Sequence, residues 1–256
     1  MQMQILNLKV DDWEIFMNYG IILAGGSGKR FSKSEKKQFV KINSKKVLYY
    51  SLDKFLELKQ INKVILVLNK EDYLTKNYKD IIKKYGCLID NKKLAIIYGG
   101  NERYDSVHNA LIFIKHLYNP SDSDCVLIHD AARPNVDISD IKNLIKCLKK
   151  YNAISLSYRL NDSIKEIKNN NLPLKNVVKS LDRDKYSLIS TPQGFNYNLL
   201  FKCYQKFYKS KKKYKITDDL QLIELFSHSK TYLLDSSPLN LKITTKNDLQ
   251  ILKNVL

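Results

Sequence analysis

Long apolar runs and paired cysteines are absent from this 256-residue sequence. No apolar run approaches the ~20 residues that a membrane-spanning helix needs, and the amino terminus lacks the basic and apolar regions of a signal peptide. The four cysteines are widely separated and include no C-x-x-C pair, which argues against a zinc site or a disulfide framework. We therefore expect a cytoplasmic protein with no membrane partner.

Arginine is also scarce, since only five of the 44 Lys and Arg residues are arginines. The rest are lysines spread along the whole chain, and they account for most of the formal net charge of +18. No basic tail or aromatic-rich basic patch accompanies this charge. A solvated lysine-rich surface therefore explains the charge better than nucleic-acid binding does. We expect no nucleic-acid partner.

Apolar runs alternate with helical patterns from residue 19 onward. The runs predict buried strands at residues 20–23, 63–68, 94–98, 125–128 and 153–158, with a last strand at residues 240–244. Strands that alternate with helices are typical of an α/β fold with a doubly wound, mostly parallel, Rossmann-like sheet. We expect an N-terminal extension at residues 1–18 and a single domain at residues 19–256.

Residues 159–184 interrupt this pattern. They alternate charged, Asn and Ile or Val residues in short extended pieces at 163–167 and 177–181. Such a segment is too polar for the core. It predicts a projecting β-arm that can pair with a second subunit.

A glycine-rich loop follows the first strand, with the sequence Ala-Gly-Gly-Ser-Gly at residues 24–28. Without bulky side chains, its N–H groups can come close to phosphate oxygens. A Walker P-loop is excluded because Lys29 is followed by Arg30 and not by Ser or Thr. A dinucleotide fingerprint is excluded because Phe31 occupies the position of its third glycine. The loop and the cations after it predict a polyphosphate ligand.

Two later segments should lie near this loop. Gly-Gly-Asn at residues 99–101 follows the third strand, and Asp130 comes two residues after the fourth. Open α/β sheets bind ligands beyond the carboxyl ends of their strands. Asn101 and Ser106 can hydrogen-bond a base edge, although a turn and a helix cap would explain residues 99–106 equally well. Asp130 is placed to hold Mg²⁺. We expect the neighbouring His129 to be either a packed residue or one that supports the site without touching the ligand.

Six motifs in this order resemble those of the 2-C-methyl-D-erythritol 4-phosphate cytidylyltransferases of the non-mevalonate isoprenoid pathway, from about residue 19 to the carboxyl terminus. The motifs are AGGSGKRF with KKQF, GGNERYDSV, HDAARP, NDSIK, DRDKYSLISTPQGF, and TDD with LNLKITT. The resemblance implies a Rossmann-like nucleotidyltransferase that moves a cytidylyl group from CTP to methylerythritol phosphate, with Mg²⁺ as cofactor and pyrophosphate as product. It also implies a homodimer in which the partner's arm supplies part of the acceptor site.

The resemblance also implies a role for each matching residue. The catalytic residues would be Arg30 and Lys37 on the triphosphate, and Arg183 and Lys242 on the methylerythritol phosphate. The residues that bind CTP would be Ala24, Gly25, Gly26, Gly28, Gly100, Asn101 and Ser106. The residues that bind the acceptor would be Asp130, Arg133, Ser163, Thr191 and Thr217. Asp130 would also hold the metal.

Three positions depart from the family pattern: Lys36 stands where Pro is usual, Asn101 where Asp is usual and Ser163 where Thr is usual. Asn101 keeps a carbonyl acceptor for the cytosine amine, and Ser163 keeps the hydroxyl. Both changes are therefore compatible with the implied roles.

The Leu-Ala-Gly-Gly sequence at residues 23–26 is closer to the related ribitol-5-phosphate cytidylyltransferases, which are the alternative family. Ala132, Lys165 and the Asp-Ser-Val at residues 105–107 follow the isoprenoid enzyme instead. A polyanion-binding module driven by the +18 charge is a third hypothesis, and it predicts salt-sensitive affinity for DNA or RNA.

Overall fold

The computed structural model describes residues 16–26, 31, 35–73, 75–168 and 173–256. The strands within these ranges are β1 (Asn18–Leu23), β2 (Lys41–Ile42), β3 (Lys45–Lys46), β4 (Lys63–Leu68), β5 (Leu94–Tyr98), β6 (Cys125–Asp130), β7 (Ala153–Arg159), β8 (Ile164–Ile167), β9 (Val177–Leu181), β10 (Ser187–Asn196) and β11 (Tyr232–Asp235). The helices are α1 (Val47–Glu57), α2 (Lys76–Asp90), α3 (Arg103–Tyr118), α4 (Ile138–Leu148), α5 (Tyr197–Lys209), α6 (Asp219–Phe226) and α7 (Lys246–Lys253).

Seven strands form one central sheet in the order β11-β7-β10-β6-β1-β4-β5. β1 pairs in parallel with β4 and β6, β4 with β5, and β7 with β11. β10 runs antiparallel to both of its neighbours, β6 and β7. The predicted α/β fold with a mostly parallel sheet is confirmed.

Helices cover both faces of this sheet. Ile22 packs in a core with Leu52 of α1, whereas the adjacent Ile21 packs in a second core with Val107 of α3. Successive side chains of a strand point to opposite faces, so neighbours in β1 belong to different cores. The near-continuous apolar runs of β1, β4 and β6 follow from burial on both sides.

The order in which the chain adds strands to the sheet reverses at β1. From β1 the chain moves outward to β4 and β5, and α3 then returns it to β6 on the other side of β1. The carboxyl ends of β1 and β6 therefore lie side by side, with Leu23 opposite Asp130. Open α/β sheets bind their ligands at such a reversal.

One predicted strand was wrong. Residues 240–244 contain no strand, and the last strand of the described chain is β11. The Ile243 N–H instead donates to the Ala132 carbonyl at 2.8 Å, which attaches this segment to the loop after β6. Arg133 Nη1 also donates to the Asn240 carbonyl, so isolated hydrogen bonds and not a strand ladder hold this segment.

The β-arm is present where it was predicted. β8 and β9 pair antiparallel as a two-stranded ribbon separate from the central sheet. Nearly all of its described residues are exposed. The division between an extension and a domain at residue 18 stays a prediction, because residues 1–15 lie outside the described ranges. Among the described residues, no helix has the length and apolarity needed to cross a membrane.

Candidate active site

A cavity of about 600 Å³ lies at the carboxyl ends of β1, β4, β5 and β6. Both glycine loops line it, together with the segment after β4 and the segment that follows β11. The lining residues that matter below are Ala24, Gly25, Gly26, Lys37, Gln38, Lys70, Glu71, Gly100, Asn101, Arg103, Ser106, Asp130 and Lys242.

Gln38 holds the first glycine loop in place. Its side chain is 2% exposed, and its Nε2 donates to the carbonyls of Ala24 at 2.7 Å and Gly26 at 3.1 Å. The Ala24 N–H donates to the carbonyl of Val67 in β4 at 2.8 Å. Residues 24–26 of this loop are therefore held by protein contacts.

Lys37 stands next to Gln38 in a short 3-10 turn, Lys37–Phe39. Its Nζ donates to the carbonyl of Ile243 at 2.7 Å, so the Lys37 side chain connects this turn to the segment that carries Lys242. Both lysines line the same cavity.

The second glycine loop closes onto the start of α3. The Gly100 N–H donates to Ser106 Oγ at 3.1 Å, and this hydroxyl lies 3.2 Å from the carbonyl of Glu102, to which it donates. Glu102 and Asp105 form a capping box at the helix N-terminus. A Cβ on Gly100 would lie 2.2 Å from the Cβ of Asp105, so only glycine fits there.

Asp130 is the central carboxylate of the cavity. It is 6% exposed, its Oδ2 lies 2.6 Å from Lys242 Nζ, and its Oδ1 lies 3.4 Å from Arg103 Nε. Arg103 also reaches Asp219 of α6 through Nη1 at 2.7 Å. Burial raises the pKa of Asp130, but Lys242 and Arg103 outweigh burial and hold this pKa well below its usual range. The carboxylate is ionised at every physiological pH.

A buried network supports Asp130 from behind. The Asp130 N–H donates to Thr191 Oγ1 at 3.1 Å, and this hydroxyl lies 3.0 Å from Nδ1 of His129. His129 Nε2 lies 3.0 Å from the carbonyl of Arg133, which can only accept, so Nε2 carries the proton. Burial lowers the pKa of His129 to about 4 and keeps the ring neutral, so Nδ1 accepts from the Thr191 hydroxyl. His129 thus supports the backbone of Asp130.

The cavity brings together nine of the residues for which a role was predicted. These are Ala24, Gly25, Gly26, Lys37, Gly100, Asn101, Ser106, Asp130 and Lys242. A cavity with two glycine loops, several cations and the buried, ionised carboxylate of Asp130 suits a nucleoside triphosphate and a second phosphate ester.

The other predicted residues lie elsewhere. Thr191 is buried behind Asp130, and Arg133 donates from Nη1 to the carbonyl of Asn240 at 2.7 Å. Ser163, Arg183 and Thr217 are exposed and do not line this cavity. Gly28 and Arg30 lie outside the described residues. The roles of all these residues in catalysis or binding stay predictions.

Comparison with known proteins agrees with this geometry. The family model of 2-C-methyl-D-erythritol 4-phosphate cytidylyltransferase, IspD, matches residues 19–256. The chain belongs to this family. A cytidylyltransferase of this name from Clostridium botulinum (strain Langeland) is 39% identical over 239 residues, which cover 93% of this chain and 97% of the relative. A second cytidylyltransferase, from Clostridium beijerinckii, is 37% identical over 231 residues, covering 90% and 93%.

Solved cytidylyltransferase structures share the fold. The 4-diphosphocytidyl-2C-methyl-D-erythritol synthase of Anaerococcus prevotii superposes with a TM-score of 0.76 at 30% identity, covering 94% of this chain and 95% of the other. The IspD structure from Francisella tularensis gives 0.73 at 29% identity, covering 94% and 100%.

Gln38 and Arg103 are among the residues of this cytidylyltransferase cavity for which the sequence predicted no role. A signal for each was present. Gln38 lies in the KKQF motif, and Arg103 is one of only five arginines in the chain. Neither signal indicated which residues these side chains contact, because the fold brings Ala24 to Gln38, and Asp130 and Asp219 to Arg103.

Proposed function

We propose that this chain transfers the cytidylyl group of CTP to 2-C-methyl-D-erythritol 4-phosphate and releases pyrophosphate. The observation that carries the proposal is the single cavity shared by both glycine loops, Lys37, Asp130 and Lys242, in a chain of this cytidylyltransferase family. Both substrates and both products are water-soluble anions, which agrees with the predicted cytoplasmic location.

The reaction needs fixed cations more than it needs a base. A phosphate oxygen of the acceptor forms a bond to the α-phosphorus of CTP, and the bond from that phosphorus to the α–β bridging oxygen breaks, with its electron pair leaving on pyrophosphate. The acceptor phosphate is already largely ionised near pH 7, so no proton has to be removed. Two anions repel each other, and Lys37 and Lys242 offset this repulsion.

Magnesium fits this site as an ion held mainly by the nucleotide. Asp130 supplies one buried, ionised carboxylate, and Mg²⁺ is commonly bound by one or two carboxylates together with substrate phosphates. When bound, the ion would neutralise charge on the phosphates. We propose that Asp130 contributes the protein ligand, while Lys242 and Arg103 hold its side chain in position.

A homodimer would complete the acceptor side of the site. Ser163 and Arg183 belong to the arm segment and do not line the cavity of their own chain. The arm exposes large apolar side chains, among them Val177 at 58% and Val178 at 51%. Exposed apolar clusters favour protein contacts. We propose that the arm packs against a second copy and carries Arg183 to its acceptor site.

One assay tests the proposed reaction. Purified protein with CTP, Mg²⁺ and either methylerythritol phosphate or ribitol 5-phosphate is followed by release of pyrophosphate. We expect release with methylerythritol phosphate, dependence on Mg²⁺, and little turnover when ATP or UTP replaces CTP. Release with ribitol 5-phosphate alone would refute the proposed acceptor, and no release with either acceptor would refute the proposed reaction.

A further inference from the structure

An ion pair joins the turn that carries Lys37 to another wall of the cavity. Lys36, directly before Lys37, donates from Nζ to Asp72 Oδ1 at 2.7 Å. The same ammonium lies 3.8 Å from Glu71 Oε2. Glu71 lines the cavity, and so does Lys37. The pair therefore connects two cavity-lining segments that are not adjacent in the sequence.

The carboxylate of this pair is rigidly placed. Asp72 is 5% exposed, and in the described part of the chain its Oδ2 is buried without a hydrogen-bond partner. Its N–H donates to the Asn69 carbonyl at 2.9 Å, and its own carbonyl accepts from Thr75 Oγ1 at 2.6 Å. Because Asp72 is fixed by its backbone, the ion pair restrains Lys36.

The turn is anchored at its other end by burial. Gln38 and Phe39 are 2% and 6% exposed, and the Phe39 N–H donates back to the Lys36 carbonyl at 2.9 Å. Lys37 lies between these anchors and the ion pair. We propose that Lys36 is a positioning residue, which sets where the ammonium of Lys37 stands by binding Asp72. This inference rests on the proposed role of Lys37 in the reaction.

The expected effect is on turnover. Both glycine loops still hold the ground-state nucleotide when Lys36 is changed, whereas Lys37 acts on charge that develops during the transfer. A misplacement of about 1 Å can reduce a rate by roughly 10²-fold, so we expect Lys36→Met to lower kcat about tenfold or more. The KM for CTP should change less than kcat.

A second variant separates positioning from stability. Lys36→Met leaves a buried carboxylate uncompensated, so its Tm should also fall. Lys36→Met with Asp72→Asn removes that charge, and we expect Tm to recover while kcat stays low. Recovery of kcat together with Tm would overturn the inference, because the pair would then only stabilise the fold. Lys36→Arg keeps the ion pair and should retain kcat within about twofold, since Arg also bonds a carboxylate.

A matched control is available in the pair of Lys45 and Asp53. Lys45 Nζ lies 2.7 Å from Asp53 Oδ2, as close as in the pair of Lys36, but neither residue lines the cavity. Lys45→Met should leave kcat unchanged. An active wild type with an inactive Lys37→Ala variant and a fully active Lys36→Met variant would refute this inference alone. An inactive wild type would refute both the inference and the proposed function.

Discussion

Single side chains in the cavity act mainly through charge. Lys242 and Arg103 contact the ionised carboxylate of Asp130, and Lys37 lines the same cavity. His129, which directly precedes Asp130 in the sequence, is fully buried, and its ring is neutral. Catalysis of this kind depends on where cations stand, so the residue-scale predictions concern position and protonation.

Replacing Lys37 should remove turnover without unfolding the protein. We expect Lys37→Ala to lower kcat by roughly 10²-fold or more, because one preorganised cation no longer offsets the charge on the phosphates. The measurement is pyrophosphate release from CTP and methylerythritol phosphate. Circular dichroism and Tm should remain close to those of the wild type, and a Lys37→Ala enzyme with normal kcat would contradict the assignment.

His129 should make stability depend on pH. Its pKa falls from 6.5 in the unfolded chain to about 4 in the fold because of burial. The stabilisation is complete above pH 6.5 and is lost as pH falls towards 4, since the unfolded chain then binds the extra proton. From pH 7 to pH 5 we expect a loss of about 2 kcal/mol from this group.

The measurement is urea unfolding of the wild type and of His129→Gln at both pH values. The variant should lose less stability than the wild type over this interval, because its side chain does not titrate. Equal losses in the two proteins would show that His129 titrates normally in the fold.

At the scale of elements, the second glycine loop depends on the start of α3. Asp105 is held in the capping box, and its Oδ1 accepts from the hydroxyl of Tyr208 in α5. It cannot retreat from a new side chain without breaking these contacts. The shape of the loop is thus set by a contact between two helices.

Gly100→Ala should therefore disturb nucleotide binding. A Cβ at this position would lie 2.2 Å from the Cβ of Asp105, so the loop has to change its position. We expect the KM for CTP to rise about tenfold or more, in keeping with losses of 1–3 kcal/mol on overpacking. Steady-state kinetics with varied CTP provide the measurement.

Gly86 of α2 offers a control for this substitution. A Cβ there would have no heavy atom within 4 Å, and alanine favours a helix interior. Gly86→Ala should leave the KM for CTP unchanged and raise Tm slightly. If Gly100→Ala also left the KM for CTP unchanged, this would argue against the proposed role of the second glycine loop in binding the nucleotide.

At the scale of the whole molecule, the arm extends away from the sheet and presents apolar side chains to solvent. Its exposed large hydrophobic residues include Ile167, Leu174, Val177 and Val178. An isolated two-stranded ribbon is marginally stable in water. Packing against a second copy would stabilise the arm and cover this surface.

Charges placed on the arm should separate the subunits. We expect the double variant Val177→Asp with Val178→Asp to sediment as a monomer where the wild type sediments as a dimer, because the interface would bury two new carboxylates from each chain. A wild type that sediments as a monomer would contradict the proposed dimer.

A subunit-mixing experiment tests whether Arg183 acts across the interface. We expect Lys37→Ala and Arg183→Ala chains to be inactive on their own, whereas a mixed dimer would contain one site with Lys37 from one chain and Arg183 from its partner. Random mixing should restore about a quarter of wild-type activity, since half of the dimers are mixed and one site in each is intact. No recovery in dimers shown to be mixed would place Arg183 in the site of its own chain.

The sequence by itself determined the features that depend on a few consecutive residues. The buried strands β1, β4, β5 and β6 were predicted from short apolar runs, and the two glycine loops from residues that directly follow those runs. Parallel strands bring their carboxyl ends to one edge, so the sequence also predicted that both loops and Asp130 share a site. These inferences hold because strand periodicity and backbone freedom depend on neighbours in the chain.

Only the tertiary structure decided which side chains meet. Lys37 contacts Ile243 across 206 positions, Lys36 contacts Asp72 across 36, and Arg103 joins Asp130 to Asp219. The antiparallel insertion of β10 between β6 and β7 was likewise not predicted. Residues so far apart in the sequence are brought into contact by the packing of the sheet and the helices. No local sequence pattern predicts these contacts.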